Sequence, residues 1–391
     1  MNDSTHSSLR SQMGPLFFLV GIFFLNFLAR IILSPLMPAV EKDLKIGHDE
    51  AGSLFLLISL GYCAGLLASG FVSSRLRHRK TILLSAIAVG GALIVVAVSH
   101  HLWGIRFGLI LVGMAAGLYL PSGIATVTEL VKPEHWGKAI AIHELAPNLG
   151  FVTAPLLAEA LLGRFSWREV LWIAGIGSMV AGAVFILWGK GGTFPGEAPN
   201  SKTLRTILVE PSFWIMIVLF GLGIGASLGV YAMLPLYLVT EKGMDRTWAN
   251  TLVASSRVLT MGSAILVGWV TDRIGPKKTL MGVFMTGGIV TMLLGLVPGS
   301  WVILAVFLQS MVATAFFPPG FAALSRIGSP RIKNVAVSLT VPIGFLLGGG
   351  VIAAGIGIMG EMGSFSLGIS LFGGLLFLGV LLVRYLKFPN E

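Results

Sequence analysis

The stretch Gly268-Trp269-Val270-Thr271-Asp272-Arg273-Ile274-Gly275-Pro276-Lys277-Lys278 joins two long apolar runs through a short basic turn. Its charged side chains are too costly for hydrocarbon, so the turn belongs at a membrane surface. Its lysines and arginine mark that surface as cytoplasmic. An eroded copy stands earlier in the chain, at Gly70-Phe71-Val72-Ser73-Ser74-Arg75-Leu76-Arg77-His78-Arg79-Lys80. There Ser74 takes the place of Asp272 and Arg77 that of Gly275. The two leading glycines, at 70 and 268, are 198 residues apart.

The composition agrees with a membrane reading. Of 391 residues 55% are hydrophobic and 11% charged, whereas a soluble domain carries about 25% charged residues. Mean hydropathy is +0.89. A helical span needs about 20 apolar residues, which leaves room for roughly a dozen spans with short loops. The 51 glycines fit the same picture, because small residues let membrane helices approach closely. Cys63 is the single cysteine, so an internal disulfide is excluded.

Twelve spans are expected, at 15–39, 49–72, 80–99, 105–131, 138–162, 169–188, 211–239, 247–271, 278–297, 301–325, 334–359 and 363–385. The first lacks a small-residue cleavage site and reads as an uncleaved span. The organisation is then a tail 1–14, a six-span half 15–189, a Gly/Pro-rich linker 190–210, a second six-span half 211–386 and a tail 387–391. With the N-terminus inside, 18 Lys and Arg fall on cytoplasmic segments and 7 on outer ones, while Arg30 and Arg257 lie within spans. That excess puts both termini in the cytoplasm. It also explains the net charge of +10 without any nucleic-acid partner.

The repeat recurs elsewhere. Pro121 and Pro318, Gly123 and Gly320, and Pro38 and Pro235 are each 197 residues apart. Together with the paired loops these anchors indicate two homologous halves. The pattern Gly-x-x-x-Asp-Arg-x-Gly-x-Lys-Lys resembles the loop signature between helices 8 and 9 of the major facilitator superfamily of transporters. The resemblance implies an all-α membrane protein of 12 transmembrane helices in two pseudo-symmetric six-helix bundles. It further implies a substrate site near the midplane where the halves meet, and gating loops built on Gly70, Arg75, Arg79, Gly268, Asp272 and Arg273. Gly150-Phe-Val-Thr-Ala154-Pro155 resembles the Gly/Pro motif of antiporters in that superfamily, and Ser166-Trp167-Arg168 its Trp-Arg before helix 6. The family's helix 4 arginine is absent: Leu109 stands there, and Arg106 is one turn too early. The matched loss of the acid at Ser74 implies a weaker inner latch in the first half.

Two arginines are the sharpest candidates for binding. Arg30, in Asn26-Phe-Leu-Ala-Arg30, lies about 20 Å along its span at 1.5 Å per residue. A charge that deep should face a cavity or a partner, although snorkelling or carbonyl contacts are the alternatives. Its spacing to Pro38 resembles helix 1 of organophosphate and organic-anion carriers. Those phosphate carriers use a second arginine in helix 7, where this chain offers Ser227 and Tyr231. Arg257 lies about 15 Å into its span, and spans 7 to 12 hold no mid-span acid to pair with it. An arginine in helix 8 resembles the superfamily's carboxylate carriers, and a guanidinium fork suits a carboxylate. Asn26, Tyr119, Tyr231, Ser227 and Gln309 complete the expected substrate site, with Asn148 and Tyr62 as further polar groups of the spans. His143 and Glu144 are candidates for proton coupling; a place in the cytoplasmic charge network with Arg75, Arg79 or Lys138 is the alternative.

No metal-ligand spacing, nucleophile elbow or phosphate-binding Gly-Lys-Ser/Thr motif occurs. Gly348-Gly-Gly lies within a span, where close packing or a hinge explains it. The expectation is a secondary transporter of a small organic anion, as anion exchanger or proton symporter, in a bacterial inner membrane. It needs no cofactor, metal or nucleic acid, and works as a monomer in the bilayer. The alternative within transport is a drug/proton antiporter, which should carry an acid deep in its cavity. A membrane enzyme or receptor finds no support in any catalytic cluster or soluble domain.

Overall fold

The structure, a computed structural model, describes residues 12–198, 206–327 and 330–388. Residues 1–11, 199–205 and 389–391, which include most of the expected tails and part of the linker, lie outside the described residues. So do Arg10, Lys202 and Arg205 of the charge count. Among the described residues there is no strand, and the protein is an all-α membrane protein.

Eleven continuous helical runs are long and apolar enough to cross a membrane, and one of them is two spans. The run His48–Val98 is broken at Arg77, whose φ of 66° and ψ of 158° are not helical. It therefore divides into α2, residues 48–76, and α3, residues 78–98. The others are α1 Met13–Leu44, α4 Leu102–Leu130, α5 Pro133–Leu162, α6 Trp167–Trp188, α7 Pro211–Thr240, α8 Arg246–Ile274, α9 Pro276–Leu296, α10 Trp301–Leu324, α11 Val335–Glu361 and α12 Phe365–Tyr385. Twelve spans result among the described residues. At 1.5 Å per residue the 29 residues of α4 reach about 43 Å, more than the ~30 Å of hydrocarbon.

The ends of these helices follow local chemistry. Ser166 caps α6, accepting from the Glu169 N–H while the Glu169 side chain accepts from the Ser166 N–H, which satisfies two orphan donors of the first turn. Asp245 caps α8 through the Thr247 and Trp248 N–H groups. Gly275, at φ 84°, separates α8 from α9 in a conformation that only glycine adopts without strain. Arg77 makes the corresponding break between α2 and α3 without that freedom, a position where a non-glycine residue is costly.

The chain forms two compact units. The first contains residues up to Ile32 together with Leu60–Pro199. Its core includes Leu16, Leu19, Phe23, Ile82, Tyr119, Val127, Ala146 and Phe185. Within it α2 and α4 cross through glycine: a Cβ on Gly61 would strike the Ile110 carbonyl, and one on Gly65 the Met114 carbonyl.

The second unit contains Leu33–Ser59 and residues from Asn200 onward. Residues 33–59, which belong to the first six-span half in the sequence reading, thus pack with α7, α8 and α11. The α1 run is interrupted at Ile32, between helices Met13–Ile31 and Leu33–Leu44. Beyond that interruption the Ser34 hydroxyl donates to the Tyr231 carbonyl at 2.8 Å, and Asn250 Nδ2 donates to the Pro35 carbonyl at 3.3 Å. Farther on, Glu41 Oε1 lies 2.9 Å from His48 Nδ1, and the His48 N–H donates to Glu361 at 2.7 Å.

Candidate functional site

In the first unit Arg30 sits one residue before the end of helix Met13–Ile31 and is buried. Its guanidinium carbon lies 3.8 Å above the Tyr62 ring and 4.9 Å from the Phe27 ring. A desolvated stack of this kind contributes about 2 kcal/mol, which offsets part of the cost of placing the charge there. Asn26, one turn earlier, donates to the Ser85 hydroxyl at 3.2 Å and to the Ala116 carbonyl at 3.3 Å. Tyr119 begins the second helix of α4. Its hydroxyl donates to the Leu19 carbonyl at 2.8 Å and stands 3.1 Å from His143 Nε2. His143 closes helix Trp136–His143, and Glu144 occupies the break before helix Leu145–Leu162.

In the second unit Arg257 has the same kind of partner. It is 1% exposed, and its guanidinium carbon lies over the Tyr231 ring, 4.9 Å from the centroid. Its Nη2 donates to the Ser227 carbonyl at 2.9 Å, while Gln309 Nε2 donates to the Ala226 carbonyl at 2.8 Å. Both acceptors belong to a π-helical segment of α7, Gly225–Gly229. A wide turn frees carbonyls from the α-helical ladder, and side chains must then satisfy them. The segment crosses a second π segment in α11, Leu346–Val351, at close range. A Cβ on Gly229 would lie 2.5 Å from the Gly348 carbonyl. Gly348 is therefore a packing glycine, and α8 is itself interrupted at Leu259, two residues past Arg257.

The loops carry the remaining candidates. Arg75 is exposed, and Gly70 contributes its carbonyl to the Ser73 hydroxyl at 3.3 Å. Arg79 donates to the Ile186 carbonyl at 3.0 Å. Around Arg79 the linker lies down on the eroded loop, an arrangement that sequence reading missed. The His78 N–H donates to the Phe194 carbonyl at 3.2 Å, the Arg79 N–H to that of Gly192 at 2.6 Å, and the Gly196 N–H to that of Ser73 at 3.1 Å. Arg77 reaches the Thr193 carbonyl at 3.2 Å, and Glu129 accepts from the Gly192 N–H. The one signal for this strap was the concentration of glycine at 189, 191, 192 and 196. Gly191 and Gly192 both take positive φ.

In the second unit Arg273 stacks on Trp269 at 3.8 Å, and Asp272 is exposed. Lys277 donates to the Leu386 carbonyl at 2.8 Å. Gly268 has open space where a Cβ would stand. Among the described residues no three His, Cys, Asp or Glu side chains assemble into a metal site. What the structure brings together is an arginine and a tyrosine twice, once in each unit, and the trio Tyr119, His143 and Glu144 in the first.

A family model described as Major Facilitator Superfamily matches residues 19–269. The chain belongs to that superfamily. This MFS protein is accordingly a membrane transporter and not an enzyme. It is 24% identical over 345 residues to the 3-(3-hydroxy-phenyl)propionate transporter of Escherichia coli K12, covering 84% of each chain. It is 21% identical over 387 residues to Multidrug resistance protein 2 of Bacillus subtilis 168, covering 90% of this chain and 96% of that one. In fold it matches the crystal structure of a bacterial homologue of the human lysosomal transporter Spinster, in an inward-facing and occupied conformation. The TM-score is 0.78 at 16% identity, over 97% of this chain and 95% of the other.

Proposed function

We propose that this MFS transporter carries a small organic anion, a carboxylate, by alternating access. The observation that supports the reading is a buried arginine seated on a tyrosine ring in each unit, Arg30 on Tyr62 and Arg257 on Tyr231. A guanidinium presents its N–H fork in its own plane, at right angles to the direction in which a ring stacks. A ring packed over the guanidinium would therefore orient the fork while leaving the charge intact, which is what binding of a planar carboxylate requires. Asn26, Ser227 and Gln309 would set the polarity around the two charges. Gly70, Arg75, Arg79, Gly268, Asp272 and Arg273 would act in the loops that gate the pathway. Both termini would lie in the cytoplasm of a bacterial cell, in a monomer. The relative from Escherichia coli, named for an aromatic carboxylate, points to the same substrate class.

The test is uptake of labelled 3-(3-hydroxyphenyl)propionate into proteoliposomes, beside Arg30→Lys and Arg257→Lys. Lysine keeps the charge but loses the planar fork and the stack. Each variant should lose at least tenfold in uptake, about 1.4 kcal/mol, while remaining folded. A second reading, drug efflux, draws on the Bacillus subtilis relative and on the Gly150–Pro155 motif. It predicts thermal stabilisation by lipophilic cations that both arginine variants retain, and that result would sink the anion reading.

A further inference from the structure

His143 is completely buried, and three groups meet its ring. Phe23 stacks on one face, with ring centroids 4.5 Å apart and planes at 10°. The Tyr119 oxygen lies 3.1 Å from Nε2, and Glu144 Oε1 lies 3.4 Å from Nδ1. Tyrosine has one hydroxyl proton, and Tyr119 donates it to the Leu19 carbonyl at 2.8 Å. With that proton on Leu19, the neutral ring offers its own hydrogen from Nε2; with the proton turned to Nε2, the ring hydrogen sits on Nδ1. That nitrogen is buried and makes no hydrogen bond among the described residues. Tyr119 and a neutral ring together hold two protons for three contacts, to the Leu19 carbonyl, between Tyr119 and Nε2, and between Nδ1 and Glu144; a third proton, on the ring, fills the set.

Other charged groups around the ring do not supply that proton. The first helix of α1 presents Phe23 and the Leu19 carbonyl, and its charged residue, Arg30, stacks on Tyr62. The second helix of α4 presents Tyr119, and its acid, Glu129, holds the Gly192 N–H. On α5 itself Glu144 is the group in reach, with His135 and Lys138 earlier in the chain and Glu159 later. Glu144 has 46% of its side chain exposed, whereas the ring has none.

We propose that His143 and Glu144 form a single-proton site and that this proton moves together with the organic anion; the second part rests on the transport reading above. Empty, the pair is a neutral imidazole and a carboxylate, with charge −1. In loading, an O–H bond of hydronium breaks to leave water, an N–H bond forms at the unprotonated ring nitrogen, and the pair becomes neutral overall. Coupling follows from position. The His143 ring stacks on Phe23, and Phe23 and Arg30 lie two turns apart on one face of helix Met13–Ile31, about 10 Å along its axis. A bare Glu144 carboxylate opposes an anion approaching Arg30, and the loaded pair does not. Proton and anion therefore favour each other's binding, which is the thermodynamic requirement for symport.

The site is tested first without substrate, by NMR of the protein labelled with ¹⁵N in its histidine rings, the His143 signals being assigned with His143→Asn. A ring with one N–H is expected at high pH, with both nitrogens protonated as pH falls. In Glu144→Gln the transition should need at least tenfold more protons. A ring that stays neutral down to the lowest pH at which the protein stays folded, or a transition that Glu144→Gln leaves in place, overturns the site. The coupling is tested with 3-(3-hydroxyphenyl)propionate in proteoliposomes. A glutamine at 144 carries no charge and so imitates the loaded, neutral pair. Glu144→Gln should lose more than tenfold in accumulation driven by a pH gradient, while counterflow of labelled against unlabelled probe falls less than threefold. Equal losses in both assays, or none in either, overturn the coupling. If the wild type carries no probe, the transport reading fails and the NMR result alone decides the site.

Discussion

Arg30 and Arg257 each hold a guanidinium carbon over a tyrosine ring, 3.8 and 4.9 Å from its centroid. The two contacts differ in what else holds them. Arg257 also has the Ser227 carbonyl at 2.9 Å, released by the π segment of α7, whereas Arg30 has a second ring in Phe27. Tyr62→Leu should lower stability by about 1–2 kcal/mol, and Tyr62→Phe, which keeps the ring, should unfold at a higher temperature than Tyr62→Leu. Thermal unfolding in detergent compares the two. Equal midpoints would remove the stack from the account of how Arg30 is tolerated. Tyr231→Phe should likewise preserve uptake better than Tyr231→Leu, because the ring orients the Arg257 fork.

At the scale of elements, the strap and the glycine crossings carry the strongest expectations. Gly192 has φ of 73°, and a Cβ there would stand 2.8 Å from both the Arg79 nitrogen and the Thr126 hydroxyl oxygen. Gly192→Ala should cost about 1–3 kcal/mol through backbone strain and lift the linker from the α2–α3 turn. Limited proteolysis would read this as faster cleavage near residue 192, and unchanged cleavage would mean that the strap yields without detaching. The crossing of α7 with α11 leaves still less room, since a Cβ on Gly348 would meet the backbone of Gly221 and Gly225. Gly348→Val should abolish stable folding, whereas Gly355→Val, at a position with open space, should be tolerated. Purified yield and a thermal melt separate the two outcomes.

For the whole molecule, topology is the expectation most open to direct test. An alkaline phosphatase fused after residue 391 should be inactive and a green fluorescent protein fused there bright, as a cytoplasmic C-terminus requires; the reverse pattern would invert every inner and outer assignment. Much of this protein was written in its sequence. Hydrocarbon tolerates neither charges nor open backbone, so span count, loop positions and the division at Gly275 follow from composition and spacing alone. The kink at Arg77 appears in the eroded loop for the same reason. Arg30 and Arg257 stood out because a charge in an apolar run needs a cause. Their partners did not stand out: Tyr62 is 32 residues from Arg30, and Tyr231 is 26 from Arg257, and no local period joins them. The division of α1 after Ile32, the linker strap and the facing of His143 Nδ1 with Glu144 were equally hidden. Each depends on which carbonyls and rings long-range packing brings within hydrogen-bond reach, and only the tertiary structure decides that.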